Sequence, residues 1–443
     1  MTSTIIRLHK LSTPIFISYL VGIAFNFADN AIIGRYNIES YAVVTIVGSV
    51  IYYVIGSVGT FSLALSLNGA GLLKSKDYKN YERLFNTTLY IGLILSLVLV
   101  ALTHLCSDAV LLFFFPMNND VLDIASDYLK VVSFCFPLNV LIFTFSSYFK
   151  SAERPKSLIY ASTYSAVVNV IVNYVLVFGH FGFPRMGATG IAIGTLMGLS
   201  TSPLLYLIYF SKQSDVKIRL TFSKSHSDMV LKSFAILFTQ DFFEYSMFYF
   251  LLLGVISKSG VIDAATYGVL TTIFSILIMY AYSYGNAIII LARKEFGNFE
   301  LLSNLLKTCV LSFFVVYLIY TYLIYYFDYT IPSLITIYSD VYENSAKYIL
   351  LFSVGQFFIG ISTMFRYYLN GMCLERYVLK TCCIICSTSG FLIYLIDYFY
   401  TLKFMQILML FMLTYILLSV VFYLKIHTIH RNNKVSLSRT KVS

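Results

Sequence analysis

Long apolar stretches separated by short polar segments run along the whole chain of 443 residues. A helix that crosses a membrane needs about 20 mostly apolar residues. Twelve stretches have this length, at approximately 12–34, 41–67, 87–107, 127–149, 157–180, 187–210, 231–256, 262–291, 304–327, 342–369, 377–399 and 404–425. Because lipid offers the backbone no hydrogen-bond partner, such stretches must be helices rather than strands. The pattern therefore predicts an all-α membrane protein with twelve transmembrane helices.

Composition and charge also favour a membrane protein. Hydrophobic residues make up 58% of the chain and charged residues only 12%, whereas about a quarter of a typical soluble domain is charged. Most of the 31 Lys and Arg residues fall in alternate loops, on the side that carries both termini. Since basic loops mark the cytoplasmic side, we predict a multi-pass protein of the cell inner membrane with both termini cytoplasmic. The excess positive charge then lies beside anionic lipid, and no nucleic-acid partner is implied.

A long hydrophilic segment at residues 211–232 lies almost at the midpoint and divides the spans into six and six. It predicts two six-helix lobes joined by a linker. The predicted boundaries are an N-lobe at 1–210, a cytoplasmic linker at 211–230, a C-lobe at 231–425 and a basic cytoplasmic tail at 426–443.

The two halves also carry a weak repeat. Asp77 and Asn298 stand in similar loops about half a chain apart, and Ser151 and Asn370 follow similar span ends at nearly the same offset. Each half has an even number of spans, so both enter the membrane in the same direction. This predicts a pseudo-two-fold axis along the membrane normal, an arrangement found in transporters that bind substrate near the midplane.

Several kinds of chemistry are not indicated by motifs. The sequence contains no GxxxxGK[ST] loop for ATP, and neither HExxH nor GxSxG for hydrolysis. We therefore expect transport driven by an ion gradient rather than an enzyme. The "CCIIC" stretch at 382–386 lies in an apolar span without neighbouring His, which favours helix packing over a metal site. No metal and no cofactor are expected.

Three carboxylates lie well inside predicted spans: Asp29 in span one, and Asp241 and Glu244 in span seven. The separation of Asp29 and Glu244 is close to the repeat offset, so these acids occupy similar positions in the two lobes. Acids inside a membrane usually face a polar cavity or an ion path. We predict that all three take part in cation coupling, with H⁺ as the coupling ion and Na⁺ as the alternative. Asp241 lies nearer the membrane interface, so a hydrated acid without a coupling role is the alternative for that residue. A neutral Asp29 that joins helices by hydrogen bonds, with Asn26 on the same helix face as its partner, is the structural alternative.

Other polar and aromatic side chains are candidates for the substrate cavity. Gln240 shares a helix face with Glu244, and Asn169 and Asn173 share one in span five. Hydrogen bonding between helices explains the asparagines equally well. The full set of candidates is Asn26, Asn169, Asn173, Gln240, Tyr280, Tyr284 and Gln356. The two tyrosines lie on one helix face, so they can stack on a flat cation or form a packing stripe.

The stretch "PKSLIYASTYSAVVNVIVNYVLVFGHFGFPRMGATGIAIGT" resembles spans five and six of the multidrug and toxic compound extrusion (MATE) family, closest to its NorM-like branch. The resemblance extends to Asn26 and Asp29, to "FFE" ending at Glu244, and to "SYGNAIIILARKEFGN" after span eight. It implies that Asp29 and Glu244 couple cations and that drug binds between the lobes.

The chain also departs from the family. Ile359 stands three residues after Gln356, where NorM-like members often carry Asp, and Asn173 stands where the DinF-like branch tends to have Asp. The missing acid removes a ligand for sodium in the C-lobe, so proton coupling is expected. Arg366, five residues before Gly371, is expected to reach the cytoplasmic surface along its apolar stem, and a role in the cavity is the alternative.

These features predict a secondary antiporter that exports amphipathic, cationic organic compounds in exchange for inward-moving cations, functional as a monomer. One alternative is a flippase for lipid-linked oligosaccharide, whose cavity should be strongly cationic in order to bind a pyrophosphate. Another is a membrane binding or immunity protein without transport, for which the intramembrane acids would be dispensable.

Overall fold

The computed structural model describes residues 2–114, 119–219, 222–336 and 338–440. Within them the chain is helical between short turns, and no strand is present. The helices are α1 (Thr2–Ile33), α2 (Ile38–Val58), α3 (Thr60–Lys74), α4 (Tyr78–Phe114), α5 (Asn119–Ser133), α6 (Cys135–Ser151), α7 (Lys156–Phe178), α8 (Gly187–Gln213), α9 (Lys224–Asp241), α10 (Phe248–Ser259), α11 (Val261–Lys294), α12 (Phe299–Tyr326), α13 (Thr330–Ile335), α14 (Ser339–Gly371), α15 (Glu375–Tyr400) and α16 (Phe404–Thr440).

The predicted all-α membrane fold is confirmed. Among the described residues, eleven helical segments are long and apolar enough to cross a membrane. They correspond to the predicted spans other than the seventh. The seventh span consists of α9, a π-helical turn at Phe242–Met247 and α10, so neither α-helix is by itself a full apolar span.

Two further predicted spans are broken for reasons visible in their sequences. Gly59 separates α2 from α3, and a Cβ there would lie 2.9 Å from the carbonyl oxygen of Gly56. In the fourth span the break at Phe134 comes three residues before Pro137. Proline lacks the backbone donor and its ring clashes with the preceding turn, which interrupts a helix just upstream.

The chain folds as two compact units. The N-unit comprises Thr13–Ala235, and the C-unit comprises Met1–Ser12 with Ile236–Ser443. The boundaries between the units fall inside helices, after Ser12 in α1 and after Ala235 in α9. Each of these two helices therefore contributes residues to both units.

Local geometry repeats between the units at the offset seen in the sequence. Asp77 caps α4 by accepting a hydrogen bond from the backbone N–H of Asn80, and Asn298 caps α12 by accepting one from Leu301. The residue before each cap lies at positive φ, 59° for Lys76 and 96° for Gly297. Caps of this kind contribute about 1 kcal/mol each. The two turns therefore share a side-chain cap and a preceding residue at positive φ.

The segment that follows α8 is held against α4. Glu82 accepts a hydrogen bond from the backbone N–H of Lys217 at 3.0 Å and forms a salt bridge with Arg219 at 3.4 Å. One turn further along α4, the amide of Asn86 donates to the carbonyl of Lys217 and accepts from the N–H of Arg219. The predicted linker is thus fixed to the N-unit over these residues.

Candidate functional site

In the N-unit, helices α7 and α8 approach each other along regularly spaced glycines of α8. A Cβ added to Gly194 would lie 1.9 Å from the Oδ1 of Asn173, and one added to Gly198 would lie 2.6 Å from the Cβ of Asn169. Small residues at such positions let helices pack closely inside a membrane. Both asparagines are completely buried. The glycines therefore hold the two amides against α8.

Asp29 of α1 meets these amides directly. Its carboxylate is buried, at 8% exposure. Asn173 Nδ2 donates to Asp29 Oδ1 at 2.6 Å, and Thr195 Oγ1 donates to Asp29 Oδ2 at 3.4 Å. Asn169 Nδ2 donates in turn to Thr195 Oγ1 at 3.3 Å. Four side chains from three helices thus form one hydrogen-bonded cluster around a single acid.

The cluster has spare oxygen atoms. The Oδ1 atoms of Asn169 and Asn173 are buried and accept no hydrogen bond from the protein. Buried amide oxygens normally have a partner. They belong to the same hydrogen-bonded cluster as the Asp29 carboxylate and the Thr195 hydroxyl, so the cluster is rich in oxygen atoms, the ligands that hard cations prefer. Groups of three or more His, Cys, Asp and Glu that could bind a metal ion are absent from the described residues.

Asn26 is placed differently from the sequence-based alternative. Its side chain is exposed, and its backbone carbonyl accepts a hydrogen bond from the Asn30 amide. The hydrogen bonds described for Asp29 come from α7 and α8 instead. The sequence reasoning missed Thr195, although its position beside Gly194 on the glycine-lined face of α8 was an available signal.

In the C-unit, Glu244 lies in the π-helical turn and is buried, at 1% exposure. Arg366 of α14 donates through Nη1 to Glu244 Oε2 at 2.9 Å and to Asp241 Oδ1 at 2.8 Å. Arg366 is itself only 3% exposed. The prediction that it reaches the cytoplasmic surface is therefore wrong. Two carboxylates inside the C-unit attract the guanidinium more strongly than a distant interface does.

A second hydrogen-bonded network begins at Gln240, the residue before Asp241. Gln240 accepts a hydrogen bond from the Asn370 amide at 3.1 Å and donates to the backbone carbonyl of Glu375 at 2.9 Å. Arg293 pairs with the Glu375 carboxylate and donates to Cys373 Sγ at 2.7 Å. Burial raises the pKa of the Cys373 thiol, while the Arg293 guanidinium opposes that rise. The start of α15 is thus tied to both α9 and α11.

The remaining candidates of the C-unit lie in packed surroundings. Tyr280 and Tyr284 are buried and stack on each other with ring centroids 4.5 Å apart. The hydroxyl of Tyr284 is 2.6 Å from the Nδ1 of His9. Gln356 is buried on α14. The tyrosine geometry agrees with the packing stripe that the sequence allowed.

Comparison with known proteins gives these clusters a family context. The sequence model of the MatE family matches residues 14–175 and 238–394, which is more than half of the chain and includes Asp29 and Glu244. The Probable multidrug resistance protein NorM of Photorhabdus laumondii is 24% identical over 353 residues, 78% of this chain and 77% of that protein. The Probable multidrug resistance protein YoeA of Bacillus subtilis is 25% identical over 281 residues, 60% of each.

Solved structures share the fold along almost the whole chain. A MOP superfamily transporter from Pyrococcus furiosus superposes with a TM-score of 0.88 at 16% identity, covering 97% of both chains. A multidrug resistance MATE family transporter in an outward-facing conformation gives 0.87 at the same identity and coverage. The resemblance found in the sequence is confirmed by a family match in both halves, and the protein belongs to the MatE family of membrane transporters.

Proposed function

We propose that the protein is a secondary antiporter that exports amphipathic, cationic organic compounds in exchange for protons entering at Asp29. The two relatives named as probable multidrug resistance proteins support drug efflux as the class of transport. The inferred cargo is cationic because a buried carboxylate favours a positively charged ligand.

The surroundings of Asp29 carry this proposal. The groups that donate to it are an amide and a hydroxyl, and none of the ion pairs formed by the described residues involves Asp29. Burial penalises a carboxylate that lacks a counter-charge. Such an acid gains from taking up a proton or a cation, and it cannot hold both at once. Because the proton and the cationic compound compete for the same carboxylate, the binding of one releases the other, which is the simplest basis for antiport.

The structural role of the neighbours follows from their chemistry. The amide of Asn173 and the hydroxyl of Thr195 stabilise the charged carboxylate by donating hydrogen bonds. When Asp29 takes up a proton, the acid becomes a hydrogen-bond donor, and the cluster contains two amide oxygens, the Oδ1 atoms of Asn169 and Asn173, that accept no hydrogen bond from the protein. Sodium remains the alternative ion, because the same oxygens can replace part of its water shell.

The test is efflux of ethidium, a flat organic cation, from energised membrane vesicles in which the pH and sodium gradients are collapsed separately. We expect collapse of the pH gradient to stop efflux and collapse of the sodium gradient to leave it intact. Asp29→Asn should abolish gradient-driven efflux at unchanged protein level, because the shape remains while titration is lost. Asp123→Asn, which alters an exposed acid of the same unit, is the matched control. Full efflux by Asp29→Asn would refute the proposed role.

A further inference from the structure

Arg366 is a buried cation in an apolar helix. Its neighbours along α14, Phe365 and Tyr367, are also buried. Taking a guanidinium out of water is costly unless good hydrogen bonds to anions offset the loss. Arg366 makes such bonds to Glu244 at 2.9 Å and to Asp241 at 2.8 Å. These two acids therefore help to offset the cost of burying the guanidinium.

The surrounding elements hold the three groups in register. Asn370, one turn after Arg366 on α14, is hydrogen-bonded to Gln240, one turn before Glu244. From α15, the Cys382 thiol points at Glu244 Oε2, 3.6 Å away. Contacts on both sides of the salt bridges therefore keep α9, α14 and α15 at a fixed spacing. The guanidinium lies where a free cation would have to bind to neutralise the pair.

The N-unit offers a direct contrast. The offset that relates Ser151 to Asn370 places Ser147 at the position that matches Arg366. The Ser147 hydroxyl carries no charge. It forms hydrogen bonds within the N-unit, at 2.7 Å to the Ser66 hydroxyl and at 3.0 Å to the Ser62 carbonyl. Asp29 accepts hydrogen bonds from neutral donors. One unit thus supplies its own cation to its acids, whereas the other leaves its acid available.

We propose that Arg366 is an internal counter-cation that occupies the cation site formed by Glu244 and Asp241, so that these acids do not exchange the coupling ion. If the protein works as the proposed antiporter, ion exchange in the transport cycle is confined to Asp29. This consequence rests on the proposed function. This replaces the sequence-based prediction that Glu244 takes up and releases a proton. Arg366 is a positioning residue, because it acts through the two carboxylates.

The test measures thermal unfolding of the purified full chain in detergent, in sodium chloride or in choline chloride of equal ionic strength. All variants carry Asp29→Asn, which removes the N-unit carboxylate from the comparison. With Arg366 present, the unfolding temperature should be the same in both salts. Arg366→Met should lower it in choline, because the buried Glu244 and the partly exposed Asp241 lose their counter-charge, and sodium should then restore part of the loss. If Arg366 had only a structural role, its replacement by Met would not create this sodium dependence.

Two further variants complete the experiment. Arg366→Lys keeps the charge and should remain independent of sodium. Arg366→Met combined with Glu244→Gln removes one acid, so stability should recover and the sodium dependence should disappear. If the parent with Arg366 already shows a sodium shift that Glu244→Gln abolishes, the acids are open to external cations and the proposal fails. An Arg366→Met variant as stable as its parent in both salts would also overturn it. Because no transport is measured, neither result depends on the antiport assay.

Discussion

The two buried acids stand at similar places in the repeat but have different partners. Asp29 accepts hydrogen bonds from an amide and a hydroxyl, whereas Glu244 accepts one from a guanidinium. Neutral donors stabilise a carboxylate without cancelling its charge, and a guanidinium cancels it. The identity of one partner side chain therefore decides whether an intramembrane acid is available to an external ion.

The two hydrogen bonds to Asp29 should differ in strength. Asn173 donates at 2.6 Å, while Thr195 donates at 3.4 Å, near the outer limit for a hydrogen bond. A hydrogen bond to a charged group contributes about 1.5–3 kcal/mol. We expect Asn173→Ala to lower the free energy of unfolding by an amount in this range and Thr195→Val by less than about 1 kcal/mol. Chemical unfolding in detergent measures both.

The control is a double-mutant cycle that combines Asn173→Ala with Asp29→Asn. If the Asn173 amide acts on the carboxylate, the two effects will not add. Strict additivity would show that the Asn173 amide does not act on the carboxylate. Equal losses from Asn173→Ala and Thr195→Val would show that the two distances do not reflect the strength of the hydrogen bonds.

At the scale of elements, the pairing of α7 with α8 builds the N-unit cluster. In lipid no hydrophobic force drives two apolar helices together, so close packing and hydrogen bonds must do so. Gly190, Gly194 and Gly198 lie on one face of α8, and a Cβ on any of them would come within 3.1 Å of α7. The tight contact brings Asn173 and Thr195 to the same carboxylate. The site is thus a product of glycine spacing as much as of polar residues.

Gly194→Ala should disturb this packing. The added Cβ would lie 1.9 Å from Asn173 Oδ1 and 3.0 Å from the Asn173 backbone nitrogen, so the Asn173 amide must move and the contact between α7 and α8 must loosen. Overpacking of this kind costs about 1–3 kcal/mol. Gly22→Ala in α1 is the matched control, because no atom lies within 4 Å of its added Cβ. Replacing glycine in an unhindered helix gains about 0.5–1 kcal/mol.

The unfolding temperature in detergent should therefore fall for Gly194→Ala and rise or stay constant for Gly22→Ala. A fall of equal size in both variants would mean that helix propensity or local backbone effects, and not the contact between α7 and α8, control the outcome.

At the scale of the whole molecule, the loop charges predict the orientation in the membrane. The turn between α7 and α8 includes Phe181, whose side chain is 90% exposed, and the far end of α8 includes the exposed Ser211. The positive-inside rule places Ser211 in the cytoplasm and Phe181 outside. A membrane-impermeant maleimide should therefore label Phe181→Cys in intact cells and Ser211→Cys only after permeabilisation. Changing the exposed native cysteines, Cys106 and Cys373, to Ser provides the background. The opposite labelling pattern would reverse the orientation.

The sequence by itself determined the class of fold and the candidate acids. Apolar stretches of about 20 residues must be helical in lipid, because the backbone has no other hydrogen-bond partner. An acid within such a stretch is rare enough to mark Asp29 and Glu244 without any structure. The offset between Asp77 and Asn298 similarly identified the repeat, since both residues cap helices that begin in matching turns.

The tertiary structure decided which side chains meet. Helical periodicity tells which residues share a face, but the rotation of each helix and the identity of its neighbour depend on packing. Asn26 was therefore misplaced as the partner of Asp29, and Thr195 was missed. Arg366 was misplaced because counting residues to the end of a span ignores acids that are distant in sequence, and only folding brings Asp241 and Glu244 to it.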